Sequence, residues 1–302
     1  MASQNLTSMI GNSPEFNVLI SRIRVVAPAS SPVLIDGETG AGKEPAALAI
    51  RSLSPRANLP LIRLDCITVP PESLEQELIA RLHQADRATL LIDEVTELPP
   101  DAQAALTRAI QQQELPLPGS ESPVKIDVRV LATTNRNLEQ AVREGHFRSD
   151  LYYCLMASQV RVPALRQRRQ DIPLLTEHFL KLHARRLGRP APHVPERSME
   201  HLLAYDWPGN IRELKHALFR SALLQHEEVD FSLQPSGEAA EASGPVTLQE
   251  AERRHVERTL NARNWIIEGP RGAAAVLNLP PSTLRSLMKR LGIRRAPKSL
   301  PH

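Results

Sequence analysis

Glycine and cysteine are scarce in this chain, and no apolar run in it is long. The 302 residues include only 13 glycines and two cysteines, Cys66 and Cys154. The two cysteines form no metal-binding pattern and fit the reducing cytosol. The apolar runs are too short to span a bilayer, and the first residues lack the basic start and apolar core of a secretory signal. With 41% hydrophobic and 24% charged residues, we expect a cytoplasmic globular protein without a membrane partner.

Acidic residues are missing from the C-terminal end. No Asp or Glu follows Glu268, whereas seven basic residues do: Arg271, Arg285, Lys289, Arg290, Arg294, Arg295 and Lys298. Before this basic module, residues 232–246 are rich in Pro, Gly, Ser, Glu and Ala, a composition that buries too little apolar area to fold. A chain of this length is long for one core, so the sequence predicts separate domains joined by a linker at 232–246.

Three of the scarce glycines, Gly37, Gly40 and Gly42, fall within a stretch of six residues. They lie between an apolar run at 33–35 and an alanine-rich segment at 45–50, which is the strand, loop and helix order of a phosphate-binding loop. The candidate nucleotide-binding residues are Gly37, Glu38, Thr39, Gly40, Ala41, Gly42, Lys43 and Glu44. Lys43 is placed to reach the outer phosphates. Glu44 stands where the general motif has a hydroxyl for Mg²⁺, so the metal must be held differently or less well.

Two further apolar runs end in polar groups suited to phosphate chemistry. Residues 89–92 lead into Asp93 and Glu94, and residues 128–132 lead into Thr133, Thr134 and Asn135. We expect Asp93 to hold Mg²⁺ through water, Glu94 to act as general base towards the attacking water, and Asn135 to sense the γ-phosphate. An apolar run that ends in Asp-Glu is a weak signal by itself, but the three strands together indicate an ATP-hydrolysing fold.

The basic module has the pattern of a helix-turn-helix. Helices are predicted from Thr247 to Leu260, from Arg271 to Leu277, and from Pro281 onwards. In the last helix an apolar stripe is expected to face the core, formed by Leu284, Leu287, Met288 and Leu291 at helical spacing. The other faces carry hydroxyl and basic side chains suited to base edges and phosphates in a major groove. The candidate DNA-binding residues are Ser282, Thr283, Arg285, Ser286, Lys289 and Arg290. The alternative is a helix surface that contacts only solvent.

Five motifs follow one another along the chain: Gly37 to Glu44 (GETGAGKE), Leu91 to Pro99 (LIDEVTELP), Ala132 to Arg136 (ATTNR), Phe147 to Tyr153 (FRSDLYY) and Trp207 to Leu214 (WPGNIREL). With these motifs the chain resembles, over nearly its whole length, the bacterial enhancer-binding proteins, AAA+ activators of sigma-54 RNA polymerase that carry a Fis-type helix-turn-helix. Residues 264–274 and 280–285 are similar to the DNA-binding end of the family's formate-regulator branch. The family also has Glu after the lysine, so Glu44 is typical of it.

The resemblance implies a fold class and domain boundaries. The expected fold is an α/β AAA+ P-loop NTPase with a parallel sheet and an α-helical lid, followed by an all-α helix-turn-helix domain. The expected boundaries are 1–165 for the α/β subdomain, 166–231 for the lid, 232–246 for the linker and 247–302 for the DNA-binding domain.

The resemblance also implies roles for single residues and a set of partners. Arg212 would be the second sensor, reaching the nucleotide from the lid, and Ile10 and Gly11 would line the adenine pocket. Arg148 aligns with the first of two arginines that such ring ATPases offer to the nucleotide of a neighbouring subunit. The implied cofactors are ATP and Mg²⁺, the metal held by Asp93 through water. The implied partners are DNA at upstream regulatory sites and further copies of the chain, as a hexamer, a dimer or a mixed ring with a complete homologue.

Three features depart from the family pattern. Cys154 stands where the family has the second of these arginines, and it offers neither positive charge nor a fork of donors. Asp65 stands where the family has an asparagine that holds the catalytic glutamate, so we expect it to repel Glu94. The long loop carrying GAFTGA, which engages the sigma factor, is missing, because only residues 80–88 separate the segment 75–79 from the strand before Asp93.

These departures favour a DNA-binding regulator that binds ATP and self-associates but cannot by itself remodel the sigma-54 holoenzyme. Such a protein would repress, compete for sites or join a mixed ring with a complete activator. Two alternatives stay open. One is a working sigma-54-dependent activator in which another surface replaces the loop, and the other is a DNA-binding protein whose AAA+ part is a non-catalytic oligomerisation platform. We expect ATP hydrolysis to be slow or to depend on a partner.

Overall fold

The computed structural model describes residues 9–115, 123–188, 190–224, 256, 260, 265–269, 273–276, 281–291 and 293. The chain divides into two compact units, Met1–Leu233 and Gln234–His302. The predicted linker at 232–246 lies outside the described residues. Within the described residues, no helix is both long enough and apolar enough to cross a membrane.

The first unit is built on a five-stranded parallel sheet. The chain contains β1 (Val33–Asp36), β2 (Leu61–Asp65), β3 (Thr89–Asp93), β4 (Glu114–Leu115), β5 (Val124–Lys125), β6 (Arg129–Thr134) and β7 (Gln159–Arg161). The sheet has the order β2-β3-β6-β1-β7, while β4 and β5 form a separate antiparallel pair. Because all neighbouring strands of the sheet are parallel, their carboxyl ends share one edge.

Side chains alternate along the strands between two apolar cores. Leu34, Leu90 and Ile92 face one core, whereas Ile35 and Leu91 face the other. The first core is closed by α3 (Leu74–Gln84), α4 (Pro100–Gln111), α5 (Leu138–Arg143) and α6 (Ser149–Met156), and the second by α1 (Pro14–Val26) and α2 (Lys43–Ser52). The predicted α/β architecture with a parallel sheet is therefore confirmed.

Helix α3 is the helix after which the family pattern has its long loop. Leu74, Leu78 and Leu82 recur at intervals of four residues, face the first core and are buried. The helix ends at Gln84, and residues 85–88 lead directly into β3 at Thr89. The predicted absence of a long loop is confirmed, and the apolar face of α3 is complete without one.

A helical lid follows β7 and has an apolar core of its own. A 3-10 segment, Leu165–Asp171, leads into α7 (Ile172–Leu187), α8 (Glu196–Ala204) and α9 (Asn210–Leu224). Trp207 lies at the centre of this core, and its indole N–H donates to the carbonyl of Leu202 at 2.8 Å. Because the lid buries its own apolar side chains, it can keep its shape while its contacts with the α/β part change.

The second unit contains the predicted last helix. The described elements are α10 (Ala273–Val276) and α11 (Pro281–Arg290), and Leu284 and Leu291 are buried in a small core with Val256 and Leu260. Met288 is partly buried against the same core. The apolar stripe of the last helix is thus confirmed for these residues, while the predicted start at Thr247 lies outside the described residues.

Leu78→Ala is expected to lower the free energy of unfolding by about 2–5 kcal/mol, because the fully buried side chain would leave a cavity between α3 and the sheet. Urea denaturation followed by circular dichroism measures the change. Gln76→Ala, on the exposed side of the same helix, is the control and should change it by less than about 0.5 kcal/mol. Equal losses from the two substitutions would contradict the orientation of α3.

Candidate active site

The glycine-rich loop joins β1 to α2 at the carboxyl edge of the sheet. Gly40 and Gly42 adopt left-handed backbone conformations, with φ angles of 76° and 112°. Gly42 is the N-cap residue of α2 and places no side chain over the first turn, whose N–H groups have no acceptor within the helix. With the positive end of the helix dipole at the same place, the loop has the geometry of an anion-binding site.

Lys43 and Glu94 form an ion pair at this edge. The Lys43 side chain is only 9% exposed, and its Nζ lies 3.0 Å from Oε1 of Glu94 and donates to the carbonyl of Gly37 at 2.9 Å. Glu94 directly follows β3, and its Oε2 accepts the N–H of Asn135 at 2.8 Å. The structure therefore brings together the lysine predicted to bind phosphate, the proposed general base and the proposed sensor. In this arrangement the base is neutralised by the lysine.

Thr133 and Thr39 complete the connections around these residues. The Thr133 hydroxyl accepts the N–H of Glu94 at 3.1 Å and donates to Oδ1 of Asp93 at 3.1 Å. The Asn135 side-chain amide donates to the hydroxyl of Thr39 in the glycine-rich loop at 3.0 Å. The sequence indicated Thr133 only as a neighbour of Asn135. Its contacts with Asp93 and Glu94 could not be predicted, because they depend on the order of the strands.

Asp93 lies in acidic surroundings. Burial raises the pKa of its carboxyl, and the charges of Glu44 and Asp65 raise it further. A cation at this place would relieve both effects. Among the described residues no cluster of three or more His, Cys, Asp or Glu side chains could hold a metal ion. A Mg²⁺ ion here would fit only with phosphate and water oxygens as its other ligands, which is how Mg²⁺ is commonly bound.

Asp65 raises the pKa of Asp93, while its expected repulsion of Glu94 stays a prediction. Asp65 is paired in register with Asp93 on the neighbouring strand, and its charge raises the pKa of Asp93. Its own Oδ1 accepts the N–H of Ile67 at 3.0 Å in the turn after β2. The carboxylate of Glu94 is meanwhile bound by Lys43 and Asn135. Asp65 therefore acts on the predicted metal-holding residue.

Asn210 closes the lid on the glycine-rich loop. Its side chain is fully buried, and its Nδ2 donates to Oε2 of Glu38 and to the carbonyl of Thr39, both at 3.1 Å. Its Oδ1 accepts the N–H of Leu165 at 2.7 Å, which fixes the start of the lid. Asn210 adopts a left-handed conformation with φ of 53°, which asparagine tolerates better than most residues. The sequence placed Asn210 in a motif without giving it a role.

Glu38 is engaged by the lid. Its carboxylate forms two hydrogen bonds with the guanidinium of Arg166, one of them at 2.7 Å. This contact, with help from Asn210, lowers the pKa of Glu38 from 4.5 to about 2. The lid contact of the ionised carboxylate is therefore complete above about pH 4.5 and is lost as the pH falls through about 2. Glu38, predicted to bind nucleotide, here ties the loop to the lid.

Two further lid arginines reach the loop. The Arg168 guanidinium, which is 3% exposed, donates to the carbonyl of Ala41 at 2.8 Å. Arg212, predicted as the second sensor, donates its backbone N–H to the carbonyl of Gly40 at 3.3 Å. Arg166 and Arg168 were missed in the sequence, where the only signal was a cluster of arginines between 166 and 169.

The residues before α1 also contact the lid. Ile10, predicted to line an adenine pocket, packs against the lid core. The carboxylate of Asp171 accepts the backbone N–H groups of Asn12 and Ser13 at 2.7 and 2.8 Å and the Ser13 hydroxyl at 2.8 Å. A side chain at Gly11 would meet Phe16 and Asp171 within 2.8 Å, so this position requires glycine. Ile10 and Gly11 are thus held between α1 and the lid.

Arg148 lies apart from the groups around Lys43. It is the N-cap residue of α6, and its guanidinium pairs with the carboxylate of Asp150 at 2.7 and 3.1 Å. The side chain is 47% exposed, which suits a group offered to another copy of the chain. Cys154 is partly buried, and its Sγ accepts the side-chain amide of Gln111 at 3.1 Å.

A cavity of about 410 Å³ opens at the carboxyl ends of β1, β6 and β7. Gly37, Glu38 and Asn135 line it together with Arg136, Tyr152 and Arg161. The glycine-rich loop and the proposed sensor thus face a common space.

In the second unit, the described side chains include those of two predicted DNA-binding residues. Arg285 and Ser286 are exposed on α11, and Arg285 pairs with Glu268 at 2.7 Å, with both side chains more than half exposed. The side chains of Ser282, Thr283, Lys289 and Arg290 lie outside the described residues. Exposed basic groups on one helix are compatible with DNA contact. The exposed ion pair of Arg285 with Glu268 costs little to break, so Arg285 can exchange Glu268 for another anionic group.

Comparison with protein families gives two matches that together span most of the first unit. A model described as "Sigma-54 interaction domain" matches residues 9–81 and 79–161. A model described as "AAA+ ATPase lid domain" matches residues 166–239. The two stretches of the first match overlap at residues 79–81, in the second half of α3.

Curated relatives align with almost the whole chain. The DNA-binding transcriptional activator HyfR of Escherichia coli is 36% identical over 328 residues, with 97% of this chain and 49% of HyfR covered. The formate hydrogenlyase transcriptional activator FhlA of Escherichia coli is 38% identical over 310 residues, with 95% of this chain and 45% of FhlA covered. The chain therefore spans about half the length of these relatives.

A solved structure supports the same relationship. The crystal structure of NtrX from Brucella abortus in complex with ATP is 33% identical to this chain, with a TM-score of 0.73. The match covers 94% of this chain and 69% of the NtrX chain.

Asn210→Asp is expected to loosen the start of α9 from the glycine-rich loop. The new carboxylate would face Glu38 without a donor, and the carbonyl of Thr39 would lose its partner. A loss of about 1–3 kcal/mol should speed hydrogen exchange of the amides at 210–213 by roughly ten- to a hundredfold. Mass spectrometry of exchanged peptides measures this.

The matched control is Asn137→Asp, since Asn137 is the exposed N-cap of α5 and aspartate caps a helix equally well. It should leave exchange at 210–213 unchanged. Unchanged exchange in Asn210→Asp as well would contradict the role of Asn210 in closing the lid.

Proposed function

Since this chain belongs to the sigma-54 interaction domain family and has an AAA+ fold with a helical lid, we propose that it is an ATP-binding, sequence-specific DNA-binding transcriptional regulator. We further propose that it cannot by itself remodel the sigma-54 holoenzyme. Names such as that of HyfR, a DNA-binding transcriptional activator, support the regulatory role.

One observation carries this proposal: the residues predicted to bind phosphate meet at one edge of the sheet, while only residues 85–88 connect α3 to β3. Helix α3 ends at Gln84 and β3 begins at Thr89, so the connection that would carry a sigma-contacting loop consists of residues 85–88 alone. The alignment with HyfR extends over 328 residues, more than the 302 residues of this chain, so part of HyfR has no counterpart here. ATP binding without the loop would serve assembly on DNA rather than remodelling.

The residues at the site fit ATP and Mg²⁺. ATP would supply the phosphoanhydride bond, and Mg²⁺ would offset phosphate charge beside Asp93. Lys43 is drawn from Glu94 to the phosphates, because a phosphate carries more negative charge than the carboxylate it replaces. Glu94 is then free to take a proton from the attacking water, while the N–H of Asn135 holds its Oε2 in place. In the absence of nucleotide, the lysine keeps the base neutralised.

Slow hydrolysis follows from the groups that would act between subunits. An arginine supplied from a neighbouring subunit contributes about three to five powers of ten to turnover in related NTPases. Here Arg148 is present and paired with Asp150, whereas Cys154 replaces the second arginine. With one of the two arginines absent, turnover depends on Arg148 and on assembly into a homo-oligomer or a mixed ring.

The first test is open-complex formation on a sigma-54 promoter. The purified chain with ATP and sigma-54 RNA polymerase should give no open complexes by permanganate footprinting, because the loop that engages the sigma factor is missing. It should nevertheless bind ATP, as measured with a fluorescent ATP analogue, and Lys43→Ala should abolish that binding by removing the buried lysine.

The two alternatives predict other results in the same experiment. Open complexes formed by this chain alone would establish a working activator and overturn the proposal. Absence of ATP binding in the unmodified chain, with regulation retained in Lys43→Ala, would instead identify a non-catalytic oligomerisation platform.

The second test concerns DNA. Arg285→Ala should weaken binding to DNA selected from a random pool by the unmodified protein, by about 1–3 kcal/mol if Arg285 reads a base. If Arg285 contacts a phosphate, the slope of log affinity against log salt should fall by about one. Fluorescence anisotropy at several salt concentrations measures both.

Arg143→Ala is the matched control for this test, because Arg143 is also an exposed arginine paired with a glutamate, Glu139, but lies in the first unit. It should leave DNA affinity and its salt dependence unchanged. Equal effects of the two substitutions would show that general charge, and not α11, governs DNA binding.

A further inference from the structure

A buried glutamine lies between the segment that follows Glu94 and the start of α6. Gln103 is on α4 and is 1% exposed. A buried side-chain amide is costly unless its donors and its acceptor are paired, so its position is decided by its partners. The partners of Gln103 come from both of these segments.

Three hydrogen bonds hold the Gln103 side chain. Its Nε2 donates to the carbonyl of Leu98 at 2.8 Å and to the carbonyl of His146 at 3.0 Å. Its Oε1 accepts the backbone N–H of Arg148 at 2.8 Å. Both N–H groups and the oxygen of the amide are thereby paired, and one side chain joins residue 98 to residues 146 and 148.

Leu98 is linked to Glu94 by backbone hydrogen bonds within residues 94–98. The N–H of Glu97 donates to the carbonyl of Glu94 at 3.0 Å, and the N–H of Leu98 donates to the carbonyl of Val95 at 3.3 Å. Glu97 also pairs at 2.7 Å with Arg136, the residue after Asn135. The position of Leu98 is therefore set by the segment that carries the proposed base and sensor.

The Arg148 side is the N-cap of α6. The hydrogen bond from Gln103 fixes the backbone from which the exposed guanidinium of Arg148 extends. Asp150 binds that guanidinium from within the same helix. The backbone position of Arg148 is thus set by Gln103, and its side-chain direction by Asp150.

We propose that Gln103 is a positioning residue that aligns Arg148, offered to the nucleotide of a neighbouring copy, with the Glu94 segment of its own copy. This inference rests on the proposed function, because it requires ATP hydrolysis between subunits. Gln103 touches neither nucleotide nor reacting atoms and acts through the backbone of Arg148. A displacement of about 1 Å in such a group costs on the order of a hundredfold in rate.

The test uses Gln103→Met, which keeps the length of the side chain and removes its hydrogen bonds. Thr107→Val is the matched control, because Thr107 is buried one turn further along α4 and its hydroxyl donates only to the backbone carbonyl of Gln103. Gln103→Met should keep ATP affinity within about twofold and lower the turnover of the assembled protein by roughly ten- to a hundredfold. Thr107→Val should leave both close to those of the unmodified chain.

Mixing subunits separates positioning from a general structural role. Lys43→Ala lacks a working phosphate site but keeps Arg148, whereas Gln103→Met keeps its phosphate site and misplaces Arg148. A mixture of Lys43→Ala with the impaired Gln103→Met should recover turnover, because Lys43→Ala subunits supply a well-placed Arg148 to Gln103→Met neighbours. A merely structural defect in Gln103→Met would damage its own phosphate site and would not be rescued.

A mixture of Arg148→Ala with Lys43→Ala distinguishes failure of the inference from failure of the proposed function. Recovery with Arg148→Ala but not with Gln103→Met would overturn the role of Gln103 alone. Recovery with neither variant would show that Arg148 does not act on the nucleotide of a neighbouring subunit. That result would overturn the inference as well. ATP binding without measurable turnover in the unmodified chain would overturn the inference and leave the ATP-binding regulator standing.

If Gln103→Met shows no cooperative thermal transition, Gln103→Glu replaces it in the same mixture. This variant keeps an oxygen for the N–H of Arg148 and loses the donors to Leu98 and His146. Recovery of turnover on mixing would support the proposal, and lack of recovery would overturn it.

Discussion

The register of the parallel sheet is the constraint on which the candidate site depends. Asp65 lies beside Asp93, and Asp36 lies beside Thr134, so the polar residues that follow the strands emerge at one edge. Thr133 on β6 bonds both Asp93 at the end of β3 and Glu94 directly after it, and a shift of one residue between these strands would break both bonds. The two apolar cores hold this register because each face of the sheet is covered by helices.

The lid is joined to this edge by polar contacts. Glu38 is bound by Arg166 and Asn210, and the carbonyl of Ala41 is bound by Arg168. The apolar core of the lid is separate from the cores of the sheet. The ion pair of Glu38 with Arg166 is exposed and can be exchanged for a contact with phosphate at small cost, whereas the hydrogen bonds of Asn210 and Arg168 are buried and cost more to break. A lid joined in this way is suited to change its position with the nucleotide.

Much of the fold could be predicted from the sequence. The clustered glycines predicted the loop, three apolar runs predicted β1, β3 and β6, and the spacing of Leu284 and Leu291 predicted the core face of α11. These features depend on residues close together in the sequence, where strand and helix periods leave a visible pattern. The expected repulsion of Glu94 by Asp65 stays a prediction, and the register of the strands adds a neighbour of Asp65 that the sequence did not indicate, Asp93.

By itself, the sequence determined which groups are available: a phosphate loop, the residues that end the strands, and a connection too short for a long loop. The tertiary structure alone decided which of these groups meet. Lys43 pairs with Glu94, Asp171 binds Ser13 from 158 residues away, and Gln103 reaches Arg148. Such contacts leave no local pattern, because a buried polar group is satisfied by whichever partner the packing of distant segments brings within hydrogen-bond distance.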